Sequence, residues 1–230
     1  MAGINQIKPR ELKKSSGVRN KKPPCKKDVW LAEILDEHLE GIMEAPKGGV
    51  FHPSVLSNPC DRYVWLCFHG KMVDQPLPPN LQRIFQNGNF LEDRVETWLK
   101  ALNILIDREV SVKYEIPTIS GRIDFLIQHY SYGVMPIELK SINTSGFGKL
   151  VRPKPEHELQ IQMYLNMGDY EKGTVLYENK NDQKIKAYIV ERDKEQWGDI
   201  LDRCFRIQET YIKPQKCTGP PWCACKKVPA

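Results

Sequence analysis

Apolar residues along this chain follow two different periods, and the switch between them divides it. Behind Asp28, a side chain able to cap a helix, Leu31, Ile34, Leu35, Leu39 and Ile42 recur at helical spacing up to Pro46. A second helical pattern runs from Pro53 to Phe68 and carries Cys60, Trp65 and Cys67. Residues 70–80, GKMVDQPLPPN, read as a loop, because their three prolines remove backbone donors. Asn80 then caps a predicted helix over 81–102, with Ile84, Phe85, Leu91, Val95, Trp98 and Leu99 on its apolar side. Gly88 lies within that helix and is read as permitting a close backbone approach.

Beyond it the pattern becomes that of strands. Residues 104–116, 121–129 and 134–141 are rich in Ile, Val, Phe and Tyr, and Ser120-Gly121 and Ser131-Tyr132-Gly133 supply the turns. A Gly/Pro-punctuated loop, NTSGFGKLVRPKP, leads to a helix over 156–167, strands over 173–179 and 184–191, and a helix over 194–212. This order predicts an α/β fold with a central mixed β-sheet flanked by helices, an N-terminal helical region and a loop-like C-terminal tail.

Charge separates the ends from the body. Residues 1–27 hold nine Lys/Arg against the single acid Glu11, and the formal net charge is only +5, so the remainder carries −3. Such a stretch, with Pro23 and Pro24, buries too little apolar surface to fold alone. It is expected to be a disordered arm whose lysines suit phosphates, or else a solvated tail. The chain shows no apolar leader and no apolar run that would span a bilayer, so a soluble protein without a membrane partner is expected, in the cytoplasm, with an organelle or nucleus left open. Seven cysteines, an odd number, cannot all pair internally and read better as metal ligands or buried thiols.

The chemistry-bearing residues sit on the strands. Side chains alternate along a strand, so Glu138 and Lys140 in PIELKS face one way and Ile137 and Leu139 the other. Asp124, in GRIDF, lies across a hairpin from them. Neighbouring carboxylates repel unless a cation lies between them, and hard oxygen ligands suit Mg²⁺ or Mn²⁺. Glu92 would approach from the long helix as a further ligand. On the following helix Gln160 and Tyr164 stand one turn apart. Taken singly, each of these features is the ordinary pattern of a surface ion pair or a half-buried helix.

Taken together, Gly88 to Glu92, Gly121 to Asp124, Glu138 to Lys140 and Gln160 to Tyr164 resemble, in order and context, the four motifs of the PD-(D/E)XK nuclease superfamily. The match is to its RecB-like branch, which includes CRISPR spacer-acquisition nucleases and phage-encoded exonucleases. The resemblance implies a restriction-endonuclease-like core and a DNA-hydrolysing enzyme active on single strands or ends in recombination, repair or phage DNA processing, with a recombination or helicase protein as an optional partner. It implies that Asp124, Glu138 and the Leu139 carbonyl bind the metal, that Lys140 assists catalysis, and that Gln160 and Tyr164 position substrate or Lys140. One departure is Glu92, where the branch usually has His; a carboxylate makes Mg²⁺ more acceptable. The expected division is an arm over 1–27 and one nuclease domain over 28–230, made of a helical part (28–104), a catalytic core (105–212) and a tail (213–230). The alternative is a catalytically degenerate nucleic-acid-binding protein with a structural metal.

Cys217, Cys223 and Cys225 crowd a segment too short and Pro/Gly-rich to have a core. With a fourth thiol they would make a tetrathiolate site for an iron–sulfur cluster or Zn²⁺. The resemblance points to Cys60 as the fourth, the family placing a cluster ligand ahead of its first motif helix and three near the C-terminus. The cysteine spacing departs from the family's, which leaves Zn²⁺ open. Cys67 and Cys204 read as buried spacers. Lys149, Arg152 and Lys154 are expected at the mouth of the acidic site, bound to DNA phosphates or simply solvated. His157, Tyr177 and Lys180 are weaker candidates, and the tryptophans read as core.

Overall fold

The computed structural model describes residues 27–220 and 223–228. The basic arm, Cys25 within it and Trp222 therefore lie outside the described residues, Lys27 excepted. Helix α1 (Val29–Leu39) starts where Asp28 accepts from the Leu31 N–H at 3.0 Å. It stops seven residues short of Pro46. Ile42 instead belongs to a short strand β1 (Gly41–Met43), paired with β2 (Gln75–Leu77) inside the stretch expected to be loop. The helix expected over 53–68 is two helices, α2 (Pro53–Leu56) and α3 (Asp61–Phe68). Pro59 has no N–H to continue it, and the Asn58 carboxamide oxygen accepts from the Cys60 N–H at 2.9 Å. That break sets Cys60 at the start of α3.

Helix α4 (Pro79–Ala101) begins after Pro78, so Asn80 lies in its first turn and is not its cap. The five-stranded sheet follows: β3 (Leu105–Tyr114), β4 (Ile119–His129), β5 (Gly133–Ile142), β6 (Lys172–Asn179) and β7 (Ile185–Glu191), in that spatial order. Only the β5–β6 pair is parallel. A parallel neighbour needs a crossover, supplied by α5 (Thr144–Gly148), within the expected loop, and α6 (Pro155–Met167). Helix α7 (Lys194–Glu209) and a 3-10 turn at Ala224–Lys227 end the described chain. This is the expected mixed sheet flanked by helices.

Each face of the sheet has its own core. Leu91, Val95 and Leu99 of α4 pack on Phe125, Ile127, Met135, Ile137 and Leu139. On the other face Ile161 and Leu165 of α6 pack against Ile123, Val175 and Val190. A third cluster joins α2, α3 and α7 through Leu56, Val64, Leu66, Ile200 and Ile207. Helix α6 touches the sheet, α2 and α7, which is why Gln160 and Gln162 are buried alongside its apolar residues. Trp65 is buried, but Trp30 and Trp98 are exposed, contrary to expectation. Trp98 stands beside the buried Leu91, Val95 and Leu99 row of α4, with the Arg94 guanidinium 5.3 Å from the centre of its ring.

Candidate active site and cysteine centre

The acidic residues meet where the sheet opens. Strands β4 and β5 pair from His129↔Gly133 to Phe125↔Ile137 and no further. At the next position the Leu139 N–H donates to Asp124 Oδ2 at 2.7 Å. A carboxylate thus replaces a backbone acceptor and splays the strands. N–H and C=O of one extended residue point the same way, so the Leu139 carbonyl faces the same opening. On the other side, β3 and β4 pair at Arg108↔Phe125 and Val110↔Ile123 but skip Glu109 opposite Asp124, and Glu109 has φ +53°.

The opening continues into a cavity of about 660 Å³ lined by Glu92, Glu109, Asp124, Glu138, Lys140, Gln160 and Tyr164 among others. Glu138 is 1% exposed, with Oε1 ion-paired to the Lys140 ammonium. Its Oε2 is buried with no hydrogen-bond partner, the one such side-chain atom among the described residues. Burial pushes the Glu138 carboxyl up to about 8, with the Asp124 charge adding. Asp124 rises to about 6 through burial, although the Leu139 N–H and Lys140 oppose this. Gln160 Nε2 donates to the Tyr164 hydroxyl at 3.2 Å, and burial raises that hydroxyl's pKa.

Glu92 lines the cavity but turns toward Arg108, 3.3 Å away. Arg108 also holds Asp93 and Glu96, each at 2.7 Å. Glu92, Asp124 and Glu138 therefore do not form a closed cage; among the described residues only the cysteines gather ligand atoms within 4.8 Å. Lys149, Arg152 and Lys154 are not among the residues lining the cavity. Arg152 is paired with Glu158 at 2.8 Å, and Lys154 precedes α6, its N–H donating to the Tyr177 hydroxyl at 3.0 Å. His157 Nδ1 lies 2.8 Å from the same hydroxyl, and burial, with Lys140 and Lys154 adding, pushes the imidazole down to about 3.

The close approach expected at Gly88 is absent: nothing lies within 4 Å of where its Cβ would be. The demanding glycine is Gly121, whose Cβ would fall 2.8 Å from Pro53 Cγ and 2.9 Å from Tyr164 Cε1. Gly121→Ala should therefore displace Tyr164 and destabilise the protein by about 1–3 kcal/mol, read as a lower denaturation midpoint, while Gly88→Ala should not. Sequence reading missed Glu109, Arg108, Arg122 and His52. The positive φ of Glu109 and the contacts these side chains make across strands and loops leave no mark in residue spacing.

The second cluster is tighter. Cys60 Sγ lies 3.6 Å from Cys217 Sγ and 3.7 Å from Cys225 Sγ, and Cys223 Sγ lies 3.4 Å from Cys225 Sγ. Burial raises the Cys60 thiol, but the Tyr63 backbone, Cys217, Gly219 and Cys225 outweigh it, leaving it down at about 6. Burial pushes Cys223 and Cys225 up. Gly219 is needed here, since a Cβ would stand 2.9 Å from Cys60 Cβ. Arg62 ties the tail down, donating to the Pro214 carbonyl at 3.0 Å and the Val228 carbonyl at 3.3 Å. This four-cysteine group can bind a metal. Cys67 and Cys204 are buried, as expected, and are not part of this group of four.

No protein-family model matches the chain, and no curated protein matches it in sequence. Solved structures share its fold. The crystal structure of SSO0001 aligns with a TM-score of 0.50 and 20% identity over 78% of this chain and 85% of that one. The alkaline exonuclease LHK-Exo from Laribacter hongkongensis aligns with a TM-score of 0.51 and 16% identity over 70% of this chain and 87% of that one. Its complex with dAMP aligns with a TM-score of 0.50, at 18% identity, over the same shares of 70% and 87%. The fold is therefore that of the exonuclease, as the four motifs imply. Among the described residues no helix is long and apolar enough to cross a membrane.

Proposed function

We propose, from this shared exonuclease fold, that the protein is a divalent-metal-dependent DNA nuclease of the PD-(D/E)XK type, acting as an exonuclease on single strands or DNA ends. The observation that carries the reading is Glu138 Oε2, a buried, partnerless oxygen beside a second buried carboxylate and a lysine. Burying polar atoms without partners is costly, and a cation between Asp124 and Glu138 would give that oxygen a partner and offset the repulsion. Asp124, Glu138 and the Leu139 carbonyl would hold the ion. Glu92 would join them on leaving Arg108. An all-oxygen set fits Mg²⁺ or Mn²⁺. When bound, such an ion supplies Lewis-acid polarisation of a phosphoryl oxygen and makes a water acidic.

The chain's own groups do the rest. Lys140 orients the attacking water and offsets the negative charge that builds on the phosphoryl oxygens. Gln160 fixes the Tyr164 hydroxyl at the cavity wall, where the two position substrate or Lys140. Lys149, Arg152 and Lys154 bind flanking phosphates outside the cavity. The dAMP bound to LHK-Exo supports a nucleotide product here. Residues 28–230 act as one catalytic unit, to which the basic arm adds DNA affinity.

The cysteine centre is structural and, on our reading, holds one Zn²⁺ and no iron–sulfur cluster. Sulfur atoms around a tetrahedral zinc with Zn–S bonds of ~2.3 Å lie roughly 3.8 Å apart, near three of the separations here, 3.4–3.7 Å, with all four sulfurs within 4.8 Å of one another. A cluster would hold them farther apart.

The test is cleavage of linear single- and double-stranded DNA by the purified protein with Mg²⁺, Mn²⁺ or EDTA. Cleavage should require the metal, and Lys140→Ala should lower its rate about 100-fold. Cleavage unchanged by Lys140→Ala and by EDTA would reject the site.

A further inference from the structure

We infer that a second cavity, one residue further along β5 from the acidic one, is a subsite for one unpaired nucleotide of the DNA strand being cut; this rests on the nuclease reading. It measures about 290 Å³, near the ~300 Å³ lower bound of cavities that hold small organic ligands. It lies at the carboxyl ends of the parallel pair β5 and β6, where open α/β sheets bind ligands.

Its walls continue those of the acidic site. Ser141 follows Lys140 on β5, and Leu91 precedes Glu92 on α4, so each element presents one residue to one cavity and the next to the other. A strand with a phosphate at Lys140 has its neighbouring nucleotide at this second opening. The chemistry there suits a base and a phosphate. Phe90 and Ile84 form an apolar wall although they are 67% and 47% exposed, so neither is explained by the core. Asn87 and Gln183 add amides that can donate to or accept from base edges.

The charge is also sorted. Glu178 is buried, and Arg94 neutralises it with contacts of 2.6 and 2.5 Å to its two oxygens. That leaves Lys180, which makes no ion pair among the described residues, as the uncompensated cation of the cavity. An aromatic face beside a free ammonium is how proteins hold single-stranded nucleic acid: the ring stacks on any base and the cation meets the backbone. The cavity has single-ligand size, so the base must be unpaired.

The experiment measures binding of a single-stranded oligonucleotide carrying 2-aminopurine near its end, in EDTA so that nothing is cut. Wild type, Phe90→Ala, Lys180→Ala and, as control, Phe85→Ala on the exposed side of α4 are compared. Stacking on Phe90 should quench the probe in the wild type and in Phe85→Ala. Phe90→Ala should lose the quenching, and both pocket variants should bind roughly ten-fold more weakly, the size of one lost stacking contact. Equal quenching and affinity in all four proteins, or a blunt duplex competing as well as a single strand, would overturn the inference. Cleavage with Mg²⁺ separates this from the nuclease reading. A wild type that cuts while Phe90→Ala keeps its KM and its quenching rejects the subsite alone; a wild type that never cuts but shows Phe90-dependent quenching rejects the nuclease alone.

Discussion

Glu138→Gln should abolish Mg²⁺-dependent cleavage, by at least about 1000-fold, yet raise the melting temperature of the metal-free protein at pH 8.5. The fold holds the Glu138 carboxyl up at about 8, from a usual value of 4.5, chiefly by burial. Between those two pH values the folded protein binds more protons than the unfolded one. The stability that the group contributes is thus fully present below about pH 4.5 and is lost as pH rises through about 8. Asp124, raised to about 6, adds loss in the same direction. Glutamine cannot ionise, so the variant escapes its share.

The loss from Glu138 is on the order of a few kcal/mol, or roughly 5–10 °C for a chain of this size. Below about pH 4.5 the two proteins should melt together. Metal binding requires the ionised carboxylates and releases protons. Mg²⁺ should therefore raise the wild-type melting temperature, more at pH 8.5 than at pH 6, and should not move Glu138→Gln. Thermal scans at these pH values, with Mg²⁺ and with EDTA, check the prediction. A variant whose melting still responds to Mg²⁺ would show that Glu138 does not hold the ion.

Cys60→Ala should cost the most stability of any single substitution considered. Cys60 and Cys217 are 157 residues apart in the chain, and the metal-held thiols close that loop between α3 and the tail. A cross-link of this span lowers unfolded-chain entropy by about 5 kcal/mol of stability in the loop-closure expression, equivalent to roughly 10–20 °C. Among the described residues Arg62 holds the tail through two of its carbonyls, and Val228 and Cys217 pack on the α3–α7 cluster. Removing one thiol should also free the tail to proteases, since exposed irregular segments are cut first. Metal analysis of the wild type should return one zinc per chain in colourless protein. Brown protein that bleaches in Cys223→Ala would replace that ion with an iron–sulfur cluster, leaving the loop argument intact. A wild type without bound metal, melting like Cys60→Ala, would remove the loop argument too.

Glu92 shows how a residue can be placed and yet left undecided by sequence. The helical period puts it on the side of α4 that reaches the cavity, but the same side chain meets Arg108, which spacing alone could not bring opposite. The local order was legible because its causes are local. Alternation along PIELKS puts Glu138 and Lys140 on one face, and the change of period marks where helices give way to the sheet. Four motifs in order were enough to imply the fold.

Only tertiary structure decided the rest, for reasons of register and burial. The opening between β4 and β5 exists because Asp124 takes a backbone N–H from Leu139, a pairing across a hairpin. Glu138 acquires its raised pKa and its partnerless oxygen from the layers closing over it. The expected close approach moved from Gly88 to Gly121 because a glycine is demanded by what packs against it, here Pro53 and Tyr164. The chain determined by itself which groups are available and which way each faces along its own element. How near they stand, and how far water is kept from them, depended on contacts between residues distant in sequence.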